Sequence, residues 1–177
     1  MDYKTKSTSR RDLRKYAMYF RRLFDVSETG AFPVLQALEK IPDIFDNCGY
    51  IVVNDDKLAP KTMAQCTPNT HGGFTIEIKE SVYKGAYEKN IGAFLGFICH
   101  EMAHVFLFNI GFTPIYERSF ADNELPAYCS VEWQAKALTA EIMIPYYESK
   151  EMNQKEIENN YHVSKAFARN RRKLERR

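Results

Sequence analysis

The sequence predicts an α+β domain that is mostly helical, with a small antiparallel sheet and a short helical extension at the C-terminus. Apolar residues recur at helical spacing near the N-terminus and again after about residue 88, whereas the residues between contain short alternating stretches. This order of helices, small sheet and helices is typical of the α+β class. With 177 residues and 45% hydrophobic content, the chain is long enough for one core and too apolar for a disordered segment.

Two helices are predicted before the sheet. The second begins near Phe32 and continues to about Phe45, and Pro42 is expected to break or kink it because proline disrupts a helix interior. The first extends from about Arg10 to Phe24, where apolar side chains recur three or four residues apart: Leu13, Tyr16, Ala17, Phe20, Leu23 and Phe24.

Three strands are predicted in the middle of the chain, at "GYIVVND" (49–55), "TMAQCT" (62–67) and "FTIEIK" (74–79). In the last of these, apolar residues alternate with polar ones, as in a strand with one buried face. Because the connections between the strands are short, we expect an antiparallel sheet.

Helices are predicted again from about Glu88 to Asn109, with Gly111 as the C-terminal cap. A further helix is predicted from Ser130 to Met143, with the Ser130 hydroxyl as its N-cap and Pro145 after its end. Two shorter helices are expected in the extension, at about 154–161 and 164–174.

Several features predict a cytoplasmic protein. The first residues contain no apolar core of a signal peptide, and the four cysteines form no CxxC pair. Residues 91–108 are apolar with a single charge and approach the length of a membrane span. No second apolar stretch of that length could shield their polar side chains from lipid, so we expect a buried helix and no membrane.

The charges are unevenly distributed. Residues 1–22 contain eight Lys/Arg and two Asp/Glu, and residues 164–177 contain seven and one, so each end carries +6. The net charge is +2, which leaves −10 for the residues between. Basic termini could contact nucleic acid or an acidic partner, although solvated helix ends are the simpler interpretation.

The segment "CHEMAH" (99–104) contains a metal-binding pattern. His100 and His104 are four residues apart, so they project from one face of a helix and could share an ion. Glu101 is rotated by about 100° from His100 and could reach a water on that ion. The alternative is an ordinary packed histidine pair, but an unpartnered buried carboxylate would then be costly. The pattern therefore favours Zn²⁺ with Glu101 as general base.

A catalytic zinc site needs a third protein ligand and one open position. Glu132 is favoured because it lies in the first turn of a helix with its own apolar face. Two other interpretations stay open: Glu132 could serve only the helix terminus, or Cys129 could be the ligand. The full set of downstream candidates is Glu117, Asp122, Glu124, Cys129, Glu132 and Glu141.

The helix "EWQAKALTAEIMIP" (132–145) resembles the second motif of the ImmA/IrrE-type zinc metallopeptidases, E-x-x-A-N-x-F-A-A-x-L-L-M-P. The segment "YHVSKAFARNRRKL" (161–174) also resembles a C-terminal segment of that family. Two positions depart from the pattern: Lys136 stands where the family often has Asn, and Phe108 where many members have a further His. The resemblance extends over most of the chain.

This resemblance implies a zincin-like domain in which His100, His104 and Glu132 bind Zn²⁺ and Glu101 is the catalytic base. It also implies an endopeptidase that cleaves a regulatory protein, such as the transcriptional repressor of a phage-like or mobile element. We expect the metallopeptidase domain at 1–148 and a basic helical extension at 149–177. Strand 74–79 could bind an extended substrate along its edge.

A second hypothesis belongs to another class of protein. Residues 154–177 can be interpreted as a helix-turn-helix whose basic second helix contacts phosphate. In that case the chain would be a weakly catalytic or non-catalytic module that binds a repressor or DNA. The extension lacks the three-helix core of DNA-binding versions, so docking or packing is favoured. His71, Tyr116 and Tyr128 are minor candidates for a supporting role at the site.

Overall fold

A computed structural model describes residues 2–115 and 125–175. Its elements occur in the predicted order of helices, sheet and helices, so the α+β class is confirmed. They are α1 (Arg10–Leu23), α2 (Val34–Glu39), α3 (Ile41–Ile44), β1 (Gly49–Val53), β2 (Ala64–Pro68), β3 (Phe74–Lys79), α4 (Glu80–Lys89), α5 (Gly92–Asn109), α6 (Val131–Met143), α7 (Tyr146–Ser149), α8 (Gln154–Tyr161) and α9 (Lys165–Glu175).

The sheet is mixed, and the prediction of a purely antiparallel sheet is wrong. Its order is β1-β3-β2, with β2 antiparallel to β3 but β1 parallel to β3. Strands β2 and β3 form a hairpin, and β3 lies between β2 and β1. Consequently, strand β3 is paired on both sides, and β2 and β1 are the edges. The expectation that residues 74–79 offer a substrate-binding edge is therefore also wrong.

The predicted second helix is divided into α2 and α3 at Lys40. Pro42 lies in the first turn of α3, where a missing N–H removes no helical hydrogen bond. Helical structure after the sheet begins at Glu80 and not at Glu88. Asn90 ends α4 in the left-handed conformation, with φ of 49°, and the chain turns into α5.

Helix α5 is the central helix of the core. It contacts α2, α4, α6 and strands β2 and β3. Most of its apolar side chains are buried, including Ile98, Met102 and Phe106, whereas Phe97 and Phe108 are exposed. This burial accounts for most of the apolar sequence of 91–108. Within residues 2–115 and 125–175, no single helix qualifies as a membrane span, although α4 and α5 together, bent by 120°, pass the same length and composition test.

The C-terminal helices α8 and α9 pack against the rest of the chain. Ile157, Tyr161 and Ala168 are buried. The turn between the two helices lies directly over the N-terminus of α5, where Gly92 faces the backbone of Val163. A Cβ atom at position 92 would lie 2.7 Å from the carbonyl carbon of Val163. This close approach requires glycine.

Candidate metal centre

Three side chains from two helices converge at one point. His100 and His104 project from successive turns of α5, and Glu132 projects from the first turn of α6, which packs against α5. The Nε2 atoms of the two histidines are 3.1 Å apart. Each Nε2 is 3.4 Å from an oxygen of the Glu132 carboxylate. This is the predicted ligand set.

These distances fit a zinc ion. Two ligand atoms bound to tetrahedral zinc at 2.0–2.1 Å are about 3.3 Å apart. The two histidine nitrogens are 3.1 Å apart, and each lies 3.4 Å from one of the two Glu132 oxygens, so each of these distances is close to that value. Two imidazoles and one carboxylate are also a donor set of catalytic zinc sites, which leave the fourth position open. Among the described residues, this is the one group of His, Cys, Asp and Glu found close enough together to hold an ion.

Two of the three ligand side chains, His100 and Glu132, have pKa values shifted in the direction that favours metal binding. Burial lowers the pKa of His100, and this effect outweighs the nearby Glu132 carboxylate, so the imidazole is neutral at neutral pH. Hydrogen bonds from His100 and His104 hold the pKa of Glu132 far below its ordinary value. A neutral imidazole and an ionised carboxylate can both donate an electron pair to a cation.

Glu101 lies beside the ligands without belonging to their group. Burial raises the pKa of its carboxyl group from 4.5 to about 7. The Glu132 carboxylate also raises this pKa, whereas His104 and a backbone hydrogen bond from Cys66 oppose the rise. A carboxyl group with a pKa near neutrality can accept and return a proton at physiological pH.

The three ligands and Glu101 line one cleft of about 920 Å³. One wall is the edge strand β2 together with the turn that follows it, from Ala64 to Gly73. Apolar side chains also line the cleft, among them Phe108, whose ring centroid lies 4.6 Å from that of Phe74. Phe108 therefore forms part of the cleft wall.

Other predicted candidates do not join the ligands. Glu141 is buried at the far end of α6, and Cys129 is not part of the ligand group. His71 is exposed in the turn before β3, and Tyr128 is 53% exposed. Neither residue lines the cleft. The remaining candidates lie outside the described residues: Tyr116, Glu117, Asp122 and Glu124.

Glu141 instead forms ion pairs with arginine side chains from both ends of the chain. Its Oε1 is 2.9 Å from Arg171 of α9, 3.2 Å from Arg10 and 3.5 Å from Arg14 of α1. The Arg14 guanidinium also lies over the ring of Tyr146, 3.5 Å from its centroid. Some of the basic side chains at both ends of the chain are therefore directed into the protein. Their ion pairs with Glu141 connect α1 and α9 to α6.

No pattern in the sequence predicts that the N-terminal segment reaches the site. Tyr3 lines the cleft, and Asp2 contacts the first turn of α6. Both lie in a polar stretch without periodicity, and the contacts join residues about 130 positions apart. Lys136 stands 4.0 Å from the Glu132 carboxylate on the exposed side.

Comparisons of the chain with family models, curated proteins and solved structures found no match.

Proposed function

We propose that the chain is a zinc-dependent endopeptidase of the ImmA/IrrE type with a zincin-like fold. The observation that carries this proposal is the cluster of His100, His104 and Glu132, in which the two Nε2 atoms are 3.1 Å apart and each lies 3.4 Å from a different oxygen of the Glu132 carboxylate. Glu101 beside this cluster adds a carboxyl group that could act as the general base. The resemblance of "EWQAKALTAEIMIP" to the family motif supports the same assignment.

His100, His104 and Glu132 would bind the zinc ion. When bound, zinc acts as a Lewis acid that lowers the pKa of a water molecule to about 7 and polarises a carbonyl group. The role of the protein is to hold three donor atoms at the required separation and to leave one side open. That open side faces the cleft, which is large enough for part of an extended peptide.

Glu101 would move the proton. Its carboxylate would take a proton from the attacking water and then pass it to the leaving amine of the cleaved peptide bond. A general base works best when its pKa lies near the operating pH, and burial brings the Glu101 pKa to about 7. The carboxyl group is also excluded from the ligand set, so it is available for this role.

The substrate would bind along β2. This strand is paired to β3 on one side only among the described strands, and it forms a wall of the cleft beside the ligands. An extended peptide could therefore add to its outer edge through backbone hydrogen bonds. We propose that the peptide belongs to a regulatory protein, such as a repressor of a phage-like or mobile element, in the cytoplasm.

The alternative, a module that binds a repressor or DNA through its basic termini, has less support. Exposed basic side chains remain on α9, including Lys165 and Arg169. However, Arg171 of the same helix is directed into the protein and bonds Glu141. The cluster of His100, His104 and Glu132 would also have no catalytic role in such a module, whether or not it bound a metal.

Incubation with candidate substrates tests the proposal. The metal-loaded protein is mixed with DNA-binding proteins encoded beside it, and fragments are detected by mass spectrometry. We expect one specific cleavage that disappears in Glu101→Gln, while zinc remains bound to that variant. Equal cleavage by the wild type and Glu101→Gln would contradict the assigned role. If Glu101→Gln retains full biological activity, the binding module is the better explanation.

A further inference from the structure

The first turn of α6 is capped by the N-terminus of the chain. The first N–H groups of a helix have no acceptor within it. In α6 the N–H of Glu132 donates to Oδ1 of Asp2 over 3.1 Å. The N–H of Trp133 donates to the Ser130 hydroxyl over 2.9 Å, and that hydroxyl donates to Oδ2 of Asp2 over 2.6 Å. Both oxygens of one carboxylate thus bind the turn that carries the third ligand.

Asp2 belongs to the segment of residues 2–8, which we call the N-terminal strap and whose other residues hold Asp2 in place. The N–H of Thr5 donates to the carbonyl oxygen of Cys129 over 2.8 Å. The side-chain amide of Gln134, which is fully buried, donates to the carbonyl oxygen of Lys6 over 2.8 Å. The strap is therefore fixed to the same end of α6 at several points and not by Asp2 alone.

We infer that Asp2 is a positioning residue for Glu132. This inference rests on the proposed metal centre, because it concerns how that centre is held. The Asp2 carboxylate fixes the backbone N–H of Glu132, so it fixes the point from which the Glu132 side chain reaches the two histidines. Groups that orient metal ligands from outside commonly change metal affinity by 10- to 100-fold when they are removed.

Zinc affinity of the full chain tests the inference. Chelator competition is measured for the wild type, Asp2→Ala and Asp2→Asn. Asp2→Ala removes both acceptors, and we expect its zinc affinity to fall about tenfold. Asp2→Asn keeps an acceptor for the Glu132 N–H and can still bond the Ser130 hydroxyl, so we expect it to stay near the wild-type value. Equal losses in the two variants would show an effect of charge and would overturn the inference.

A control variant separates positioning from general stabilisation. Asp12 bonds the N-cap Ser9 of α1 over 2.7 Å, as Asp2 bonds Ser130 of α6, but α1 carries no proposed ligand. We expect Asp12→Ala to leave the zinc affinity unchanged even where it lowers the melting temperature. If Asp12→Ala weakens zinc as much as Asp2→Ala does, Asp2 acts through stability alone and the inference fails.

A measurement without metal gives an independent test. In the metal-free protein, we expect Asp2→Ala to speed amide hydrogen exchange at Glu132 and Trp133 severalfold, without a similar change in the middle of α6. Unchanged exchange at these two amides would overturn the inference. If the wild type itself binds no zinc, the proposed function fails. If the wild type binds zinc and Asp2→Ala binds it equally well, only the positioning role fails.

Discussion

Substitution of Glu101 by glutamine should stabilise the metal-free protein, although it should abolish cleavage. The Glu101 carboxyl group has a pKa of about 7 in the folded chain, against an ordinary value of 4.5, chiefly because it is buried. Folding therefore opposes its ionisation. Glutamine has a similar shape, can still accept the backbone hydrogen bond from Cys66 and carries no charge to desolvate.

The direction of the pH dependence follows from these two pKa values. Between pH 4.5 and about 7 the folded state binds more protons at Glu101 than the unfolded state, so the free energy of unfolding falls as the pH rises. Above about pH 7 the carboxyl group is ionised in both states, so the full free-energy cost of holding the charged group in the folded protein is present. At 1.36 kcal/mol per pKa unit it amounts to at most about 3 kcal/mol, and partial exposure of the side chain reduces it, so we expect roughly 1–3 kcal/mol.

Urea unfolding in a chelating buffer at pH 5 and pH 8 measures this effect. We expect the free energy of unfolding of Glu101→Gln to exceed that of the wild type by less than about 1 kcal/mol at pH 5 and by roughly 1–3 kcal/mol at pH 8. Glu88→Gln, which changes an exposed carboxylate on α4, serves as the control and should change stability by less than about 0.5 kcal/mol at either pH. Equal stabilities of Glu101→Gln and the wild type at pH 8 would refute the reasoning.

Three further changes test the packing around the site and the site itself. Glu141→Gln should destabilise the protein by roughly 3–5 kcal/mol in urea unfolding, because it leaves three arginine side chains around a buried neutral amide; a loss below about 1 kcal/mol would contradict this. Gly92→Ala should cost about 1–3 kcal/mol because the new methyl group meets Val163, whereas Gly96→Ala on the same helix has open space and should be neutral or stabilising. Zinc at 100 times its Kd should raise the free energy of unfolding of the wild type by about 2.7 kcal/mol in the same assay. It should not stabilise His104→Ala, and an equal increase in both proteins would exclude this histidine as a ligand.

Much of the helical architecture follows from local signals in the sequence. The Ser130 hydroxyl accepts the N–H of Trp133, as expected of an N-cap at the start of α6. Strand β3 has the predicted bounds, 74–79, because its alternation matches one buried face. The proximity of His100, His104 and Glu132 could also be predicted, because α5 and α6 each present an apolar face that must pack against another element.

Other features depend on contacts that no local pattern encodes. The parallel pairing of β1 with β3 requires the connection between β1 and β2 to leave space for a third strand, and strand propensities contain no such information. The sharp turn from α4 into α5 places Gly85 against the Phe94 ring, where a Cβ atom would lie 2.5 Å from the ring. The contact of Asp2 with α6 joins residues 130 positions apart and leaves no periodic signal.

The zinc content of the purified chain tests the central claim most directly. The wild type, His100→Ala, Glu132→Ala and Glu101→Gln are dialysed against the same zinc buffer, and bound metal is measured by atomic spectroscopy. We predict one zinc per chain for the wild type and for Glu101→Gln, and loss of most of it in His100→Ala and Glu132→Ala. Far less than one zinc per wild-type chain, or equal binding by all four proteins, would contradict the proposed centre.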